Sequence, residues 1–372
     1  MRTLSRQIRF PALIAASTVT CGLLVASAPP DQLEEILASI QKSGGSITRV
    51  KAPAISVNIA FEASSGLGFE EARTAEGIEP GLRALKHLSS QLGLSLSLKG
   101  SGISDDALAQ IEGLTGIREL EINSTAISDA GLARLKGLKH LQRIGLYNNN
   151  ITGVGFQDLN KLPELRSLIL VEDNFTDEGM ASVGQLSSLR SLDLRQSEVT
   201  DVGLTHLRDL NQLWQLTLIS NNIHGTGFKF LKRLPHLSTL SLQSEPITDE
   251  GMADIGMLSG LRELTLTATE ISNNGLAHLE KLTNLANLKL LQNEQINDSG
   301  LIHLRTGGQL LLVELDGKGI TDAGLTHLVG LNKLQRLRLL DTSVTDRGAR
   351  NLQASLRHLT IEKVLTVPFD PG

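Results

Sequence analysis

A chain of 372 residues with 3% aromatics and a single cysteine cannot rest on an aromatic core, a disulfide framework or thiolate metal sites. Aliphatic packing must carry its stability. A net charge of -5 at pH 7 gives no basic footprint and argues against a nucleic-acid partner held by phosphate contacts.

The chain begins with Arg2, Arg6 and Arg9, followed by an apolar run from Pro11 to Ala28. This is the pattern of an export signal. Ala26-Ser27-Ala28 offers a cleavage site, but Pro29 directly after it hinders cutting. Residues 1–28 are therefore expected to be either a signal peptide or an N-terminal membrane anchor, and both place the body outside the cytoplasm, in the periplasm, the cell envelope or the medium. Thr18-Val19-Thr20 before Cys21 makes a poor lipobox. Residues 29–93 read as an N-terminal cap with degenerate first repeats: a helix from Asp31 to Lys42, strands near Ile47–Val50 and Ile55–Phe61, then a mobile loop from Glu62 to Gly77.

From here one pattern recurs. Ile103, Ile127, Ile151, Phe175, Val199, Ile223, Ile247 and Ile271 follow one another at a constant interval, and Ile296, Ile320 and Val344 continue the series after a single extra residue, giving eleven copies over 94–361. Counted from Leu213 as position 1, Leu216 and Leu218 flank the polar Thr217, the alternation of a half-buried strand. A polar turn follows at Asn221. Thr-Asp pairs such as Thr200-Asp201 stand where a helix N-cap belongs, and Leu204, Leu207 and Leu210 follow at helical spacing. One strand and one helix per unit cannot hide an apolar face alone, so the units must stack, strands inside and helices outside.

Position 9 holds a short polar residue in nine of eleven copies, with Glu245 and Lys318 as exceptions. Such side chains can bond the bend after each strand and form a ladder between units. The extra residue lies after Asn293, around Glu294-Gln295, so a loop bulge is expected rather than a register slip. Glycine fills one helix-start position in ten copies, from Gly131 to Gly348, despite costing a helix about 1 kcal/mol relative to Ala. Close approach of neighbouring units is the expected reason. A longer period, three units in length, relates Thr176–Ala181 to Thr248–Ala253.

The unit Leu-x-x-Leu-x-Leu-x-x-Asn/Thr-x-Ile-Thr-Asp-x-Gly-Leu, with its period of about 24 residues, resembles the bacterial leucine-rich repeats of the GALA-like and cysteine-containing type, here without the cysteine. The resemblance implies an α/β leucine-rich-repeat solenoid, a horseshoe with a parallel concave sheet and convex helices, and protein binding as the commonest activity. Some GALA-like proteins carry an F-box and recruit ubiquitin-ligase machinery. Pro30–Leu37 resembles the start of an F-box, but Gly44-Gly45 ends the helix and an export signal contradicts a cytosolic adaptor. The array is closed by residues 362–372, a proline-containing tail after the final strand at Leu359-Thr360-Ile361.

Residues at positions 3, 5 and 7 face out from the concave sheet. Tyr147, Ile169, Val171 and Ile219 put apolar groups there, with Asp193 and Arg195 between them and Trp214 near the rim. Aromatic and Arg anchors suit an interface. This patch is the candidate partner-binding site, set against ordinary scatter of exposed apolar residues. Across the three-unit period Tyr147 becomes Ile219, but Ile169 becomes Ser241 and Val171 becomes Gln243. Thr239, Ser241, Thr265 and Thr267 form a hydroxyl stretch compatible with sugar, and Lys289, Glu314, Asp316, Arg336 and Arg338 end the face as a solvated mixture of charge.

His278, His303 and His327 share one helix position, but repeats about 10 Å apart cannot bring them onto one ion, so no metal and no cofactor is expected. No Gly-x-Ser-x-Gly, His-Glu-x-x-His or Walker loop occurs, and no enzyme activity is expected. The expectation is an exported module that binds a protein, with an envelope-associated structural or glycan-binding module as the alternative.

Overall fold

The computed structural model describes residues 30–50, 56–62, 75–87 and 93–365. The export segment at 1–28 and most of the loop expected at 62–77 lie outside the described residues. The latter's end does not: helix α2 (Ala75–Ala84) begins two residues before Gly77.

One sheet runs through the described residues from Ser46 to Val364. Its fourteen strands lie in sequence order. β1 (Ser46–Val50) pairs antiparallel with β2 (Ser56–Glu62), as the two cap strands must when joined by a short connection. β2 then pairs in parallel with β3 (Gly93–Lys99). Parallel pairing continues through β4 (Ile117–Asn123), β5 (Arg143–Tyr147), β6 (Ser167–Val171), β7 (Ser191–Arg195), β8 (Gln215–Ile219), β9 (Thr239–Gln243), β10 (Glu263–Thr267), β11 (Asn287–Leu291), β12 (Leu312–Asp316), β13 (Arg336–Leu340) and β14 (Thr360–Val364). The fold is a leucine-rich-repeat solenoid. β14 starts where the final strand was expected and continues past Ile361 to Val364.

The period of two along each strand explains the layering. In the unit starting at Leu189, Leu192, Leu194, Val199, Leu204, Leu207 and Leu210 join Leu189 with no exposed surface, while Asp193 and Arg195 point to the open face. Each buried leucine stabilises the array by roughly 2 kcal/mol, and only the stacked neighbours supply the burial. At the N-terminal end α1 (Pro30–Lys42) lays Leu37 and Ile40 into the same core as Ile78, Leu82 and Leu85.

The outer side is not a uniform row of helices. Where Ser or Thr precedes Asp the chain makes an α turn: α3 (Asp105–Ile111), α4 (Asp129–Leu132), α5 (Asp177–Val183), α6 (Asp201–Leu204), α7 (Asp249–Ile255), α8 (Asp322–Leu325) and α9 (Asp346–Ser355). The other four units, headed by Thr152-Gly153, His224-Gly225, Ser272-Asn273 and Asn297-Asp298, make 3-10 turns instead. In six of the seven α units the Ser or Thr oxygen accepts an N–H of the first turn, for example from Gly179 to Thr176. Gly153 and Gly225 instead enter with φ of 99° and 103°.

Two ladders tie the units together. The expected one runs through position 9, where Asn149 Oδ1 accepts the N–H and hydroxyl of Thr125 at 3.1 and 2.9 Å. Glu245, an exception by size, belongs to it: its carboxylate accepts from the backbone and side chain of Asn221 at 2.8 Å and from Ile223 N at 3.2 Å. Asn293 keeps its place, and Leu288 opposes Val313 across the insertion, so the bulge leaves the register intact. The second ladder has no counterpart in the sequence reading. In six of the seven α turns the opening Asp reaches into the turn of the next unit: Asp129 accepts from Thr152 N at 2.9 Å, Thr152 Oγ1 at 2.8 Å, and Gly153 and Gly155 N at 3.0 Å.

The residue after each strand, at position 8, is left-handed in every unit from Gly100 to Asp341, nine times without glycine. Ala268 adopts this conformation with φ of 51°. Ala268→Gly is expected to stabilise the protein by about 1 kcal/mol, read as a higher urea midpoint, because glycine carries no left-handed penalty. An unchanged or lower midpoint would count against that backbone assignment.

Candidate functional site

The face that the repeats leave open is lined by strand residues at positions 3, 5 and 7. Register places Gly145 beside Ile169 and Asp193, and Tyr147 beside Val171, Arg195 and Ile219. Six of the seven expected residues therefore share one face of four adjacent strands, β5 to β8, and all six are half-buried. Trp214 does not join them. It precedes β8 on the edge where strands begin, 43% exposed, its carbonyl accepting from Ser238 and Thr239 N at 3.0 Å.

Tyr147 does not stand upright. A Cβ on Gly145 would lie 2.8 Å from Tyr147 Cε2 and 3.0 Å from its hydroxyl oxygen, so the ring lies back over the glycine. Burial raises the pKa of the phenol above its ordinary value and Glu121 adds to this, while the nearby Arg143 opposes them. Gly145, Arg143 and Glu121 thus belong to the site. The sequence reading missed them, although positions 3 and 7 of one strand always share a face.

Asp193 and Arg195 answer each other. Arg195 Nε and Nη2 donate to the two carboxylate oxygens at 2.8 and 2.6 Å, a fork-to-fork pair between alternate residues of one strand. The carboxylate bond raises the arginine's pKa further. The centre of the patch is thereby a flat, internally neutralised pair framed by Ile169, Val171 and Ile219.

At the far end, where a solvated mixture of charge is expected, Lys289, Glu314 and Arg338 instead form a chain of ion pairs, while Arg336 is exposed as expected. Glu314 is almost fully buried between Lys289 and Arg338, both at 3.1 Å, and Arg338 continues to Glu362 at 3.2 Å. Four strands at one register position supply alternating signs, so each charge meets its opposite across a strand spacing. Leu291, Leu312 and Leu340 are half-buried beside this chain. Between the two ends Thr239, Ser241, Thr265 and Thr267 stay half-buried and uncharged. On the outer side His303 bonds Glu280 at 2.8 Å, and among the described residues no group of three or more His, Cys, Asp or Glu could hold a metal ion.

No family model matches the sequence, and no curated protein matches it. Solved structures do match in shape. An internalin of Listeria monocytogenes is 20% identical, with a TM-score of 0.55, over 92% of this chain and 96% of that one. A leucine-rich-repeat protein of Leptospira interrogans is 18% identical, with a TM-score of 0.41, over 82% of this chain and 89% of that one. The internalin defines the class of fold as that of bacterial leucine-rich-repeat proteins. At such identity the likeness reaches no further than the fold. Among the described residues no helix is long and apolar enough to cross a membrane.

Proposed function

We propose that the chain is an exported recognition module that binds a protein on its concave face, over β5 to β8. One observation carries the reading: Tyr147, Ile169, Val171 and Ile219 present half-buried apolar groups around a neutralised Asp193–Arg195 fork, next to a hydroxyl-bearing stretch on β9 and β10. Flat aromatic and aliphatic surface beside a satisfied arginine can be desolvated by a partner without stranding a charge. The export half rests on Arg2, Arg6, Arg9 and the apolar run to Ala28, and sequencing of the N-terminus of the protein recovered from its native source tests it. GALA-like repeats, residues 1–28 as a signal peptide or else a membrane tether at 11–28, and the boundaries 29–93 and 94–361 remain part of the same proposal.

Tyr147→Ala combined with Ile169→Ser should lower recovery of the native partner by about tenfold, with circular dichroism unchanged. Equal recovery would move the binding site elsewhere on the sheet. Binding to a glycan array instead of to protein would favour the hydroxyl stretch at Thr239–Thr267.

A further inference from the structure

We infer that the edge of the sheet where the strands begin, at Arg166, Arg190 and Trp214, takes up a short acidic segment of the partner bound on the concave patch. The inference rests on the concave patch being a protein-binding site, and it names the chemistry of what binds.

Position 2 of each unit is bonded into a continuous backbone row just ahead of the strands. Arg166 N donates to Gln142 O at 2.9 Å, Arg190 N to Arg166 O at 2.8 Å, Trp214 N to Arg190 O at 2.9 Å, and Ser238 N to Trp214 O at 3.0 Å. Side chains at this position are held about one strand spacing apart, roughly 4.8 Å at the backbone. The row reads Arg118, Gln142, Arg166, Arg190, Trp214, Ser238 and Arg262, four arginines and no acid.

Arg166 and Arg190 are exposed, and among the described residues neither guanidinium has a hydrogen bond or an ion pair. The nearest carboxylate in sequence, Glu164, is already engaged by His140 at 2.9 Å, Gln142 at 3.0 Å and Arg118 at 3.9 Å. The positions beside the pair, Ser167, Ser188, Ser191, Gln212 and Gln215, carry no charge. These two like charges in adjacent columns have no counter-charge, whereas on the open face Asp193 meets Arg195 and Glu314 meets Lys289 and Arg338. Trp214 occupies the next column, its indole exposed.

β6 and β8 hold Ile169, Val171 and Ile219 on the open face, and Arg166, Arg190 and Trp214 stand directly ahead of β6, β7 and β8 on the edge. A partner seated on the patch therefore reaches the edge over a few residues. Guanidinium forks match carboxylates, and an apolar side chain of the segment would lie on the indole. The net charge of -5 repels a long polyanion, whereas a short acidic segment gains the local attraction within a Debye length. That favours peptide over acidic polysaccharide.

The test is fluorescence anisotropy with the full chain and a labelled short peptide of alternating Glu and Leu, with alternating Lys and Leu as control. Native protein should bind the acidic peptide alone, more weakly as salt rises. R166Q with R190Q should weaken that binding about tenfold and flatten its salt dependence, and W214A should weaken it without flattening. Tyr147→Ala with Ile169→Ser should leave the salt dependence unchanged, so that failure of the patch and failure of the edge are told apart. Equal affinity for native and R166Q/R190Q protein, absence of binding to the acidic peptide, or binding to polygalacturonate in its place would each overturn the inference.

Discussion

Asp173→Asn is expected to stabilise the protein by about 2–3 kcal/mol at neutral pH and to leave it nearly unchanged at acid pH. Asp173 stands at position 9, where Asn149, Asn221 and Asn293 each use their Oδ1 as acceptor and their Nδ2 to donate to a carbonyl of the preceding unit, at 3.1, 3.2 and 2.9 Å. Asp173 Oδ1 accepts from Asn149 N at 2.7 Å, but Oδ2 is buried without a partner. By the repeat, Oδ2 stands in the place of the amide nitrogen. Burial, opposed by the bonds from Asn149, raises this carboxyl from 3.8 to about 6. Because the folded pKa lies above the unfolded one, the folded state holds a proton that the unfolded state releases between pH 3.8 and about 6. Stability contributed by this group is thus present below pH 3.8 and lost as pH rises through about 6. Asparagine supplies the missing donor at every pH. Urea midpoints of the two chains should converge near pH 4 and separate by pH 7; the carboxylates shifted the other way, such as Asp322, are common to both and cancel. Coincident midpoints at pH 7 would falsify the placement of Oδ2.

Gly179→Ala should cost about 3 kcal/mol or more, against a helix-propensity gain of about 1 kcal/mol. Its added Cβ would meet the Thr152 carbonyl oxygen and lie 3.0 Å from Gly153 Cα, both backbone atoms of the preceding unit that cannot rotate aside. Gly251, three units farther along, meets His224 O and Gly225 Cα in the same way. Gly131→Ala meets the Asp105 carboxylate instead, a side-chain end with some freedom, and should cost less, though it disturbs the carboxylate that holds Ser128. Gly330, with nothing within 4 Å, supplies the control: Gly330→Ala should be neutral or slightly stabilising. Equal urea midpoints for Gly179→Ala and Gly330→Ala would show that the units are not in such close contact.

The glycine column was legible in the sequence as a sign of close approach, and the structure names what approaches. Glu245 shows the opposite case. Counted by residue type it breaks the turn ladder, yet its longer carboxylate reaches three donors of the preceding unit. The Asp ladder escaped for a related reason. Thr-Asp reads locally as a helix start, and nothing within one unit shows that the same carboxylate also bonds the next.

By itself the sequence determined the pitch of the repeat, the strand at positions 3 to 7, the buried aliphatic positions, the turn ladder and the harmless insertion after Asn293. These follow from periodicity, which repeats the same local preference until only one stacking buries the apolar face. The candidate patch was legible to the same degree, since alternation alone puts Tyr147, Ile169, Val171, Asp193, Arg195 and Ile219 on the open face. Tertiary structure alone decided what those side chains do there. Tyr147 lies flat because Gly145 leaves room, Asp193 and Arg195 close on each other, Glu314 sinks between two cations, and Trp214 stands beside two unpaired arginines on the edge. Such outcomes depend on which side chains meet across neighbouring columns, and a pattern read along one chain does not carry the energies of those meetings.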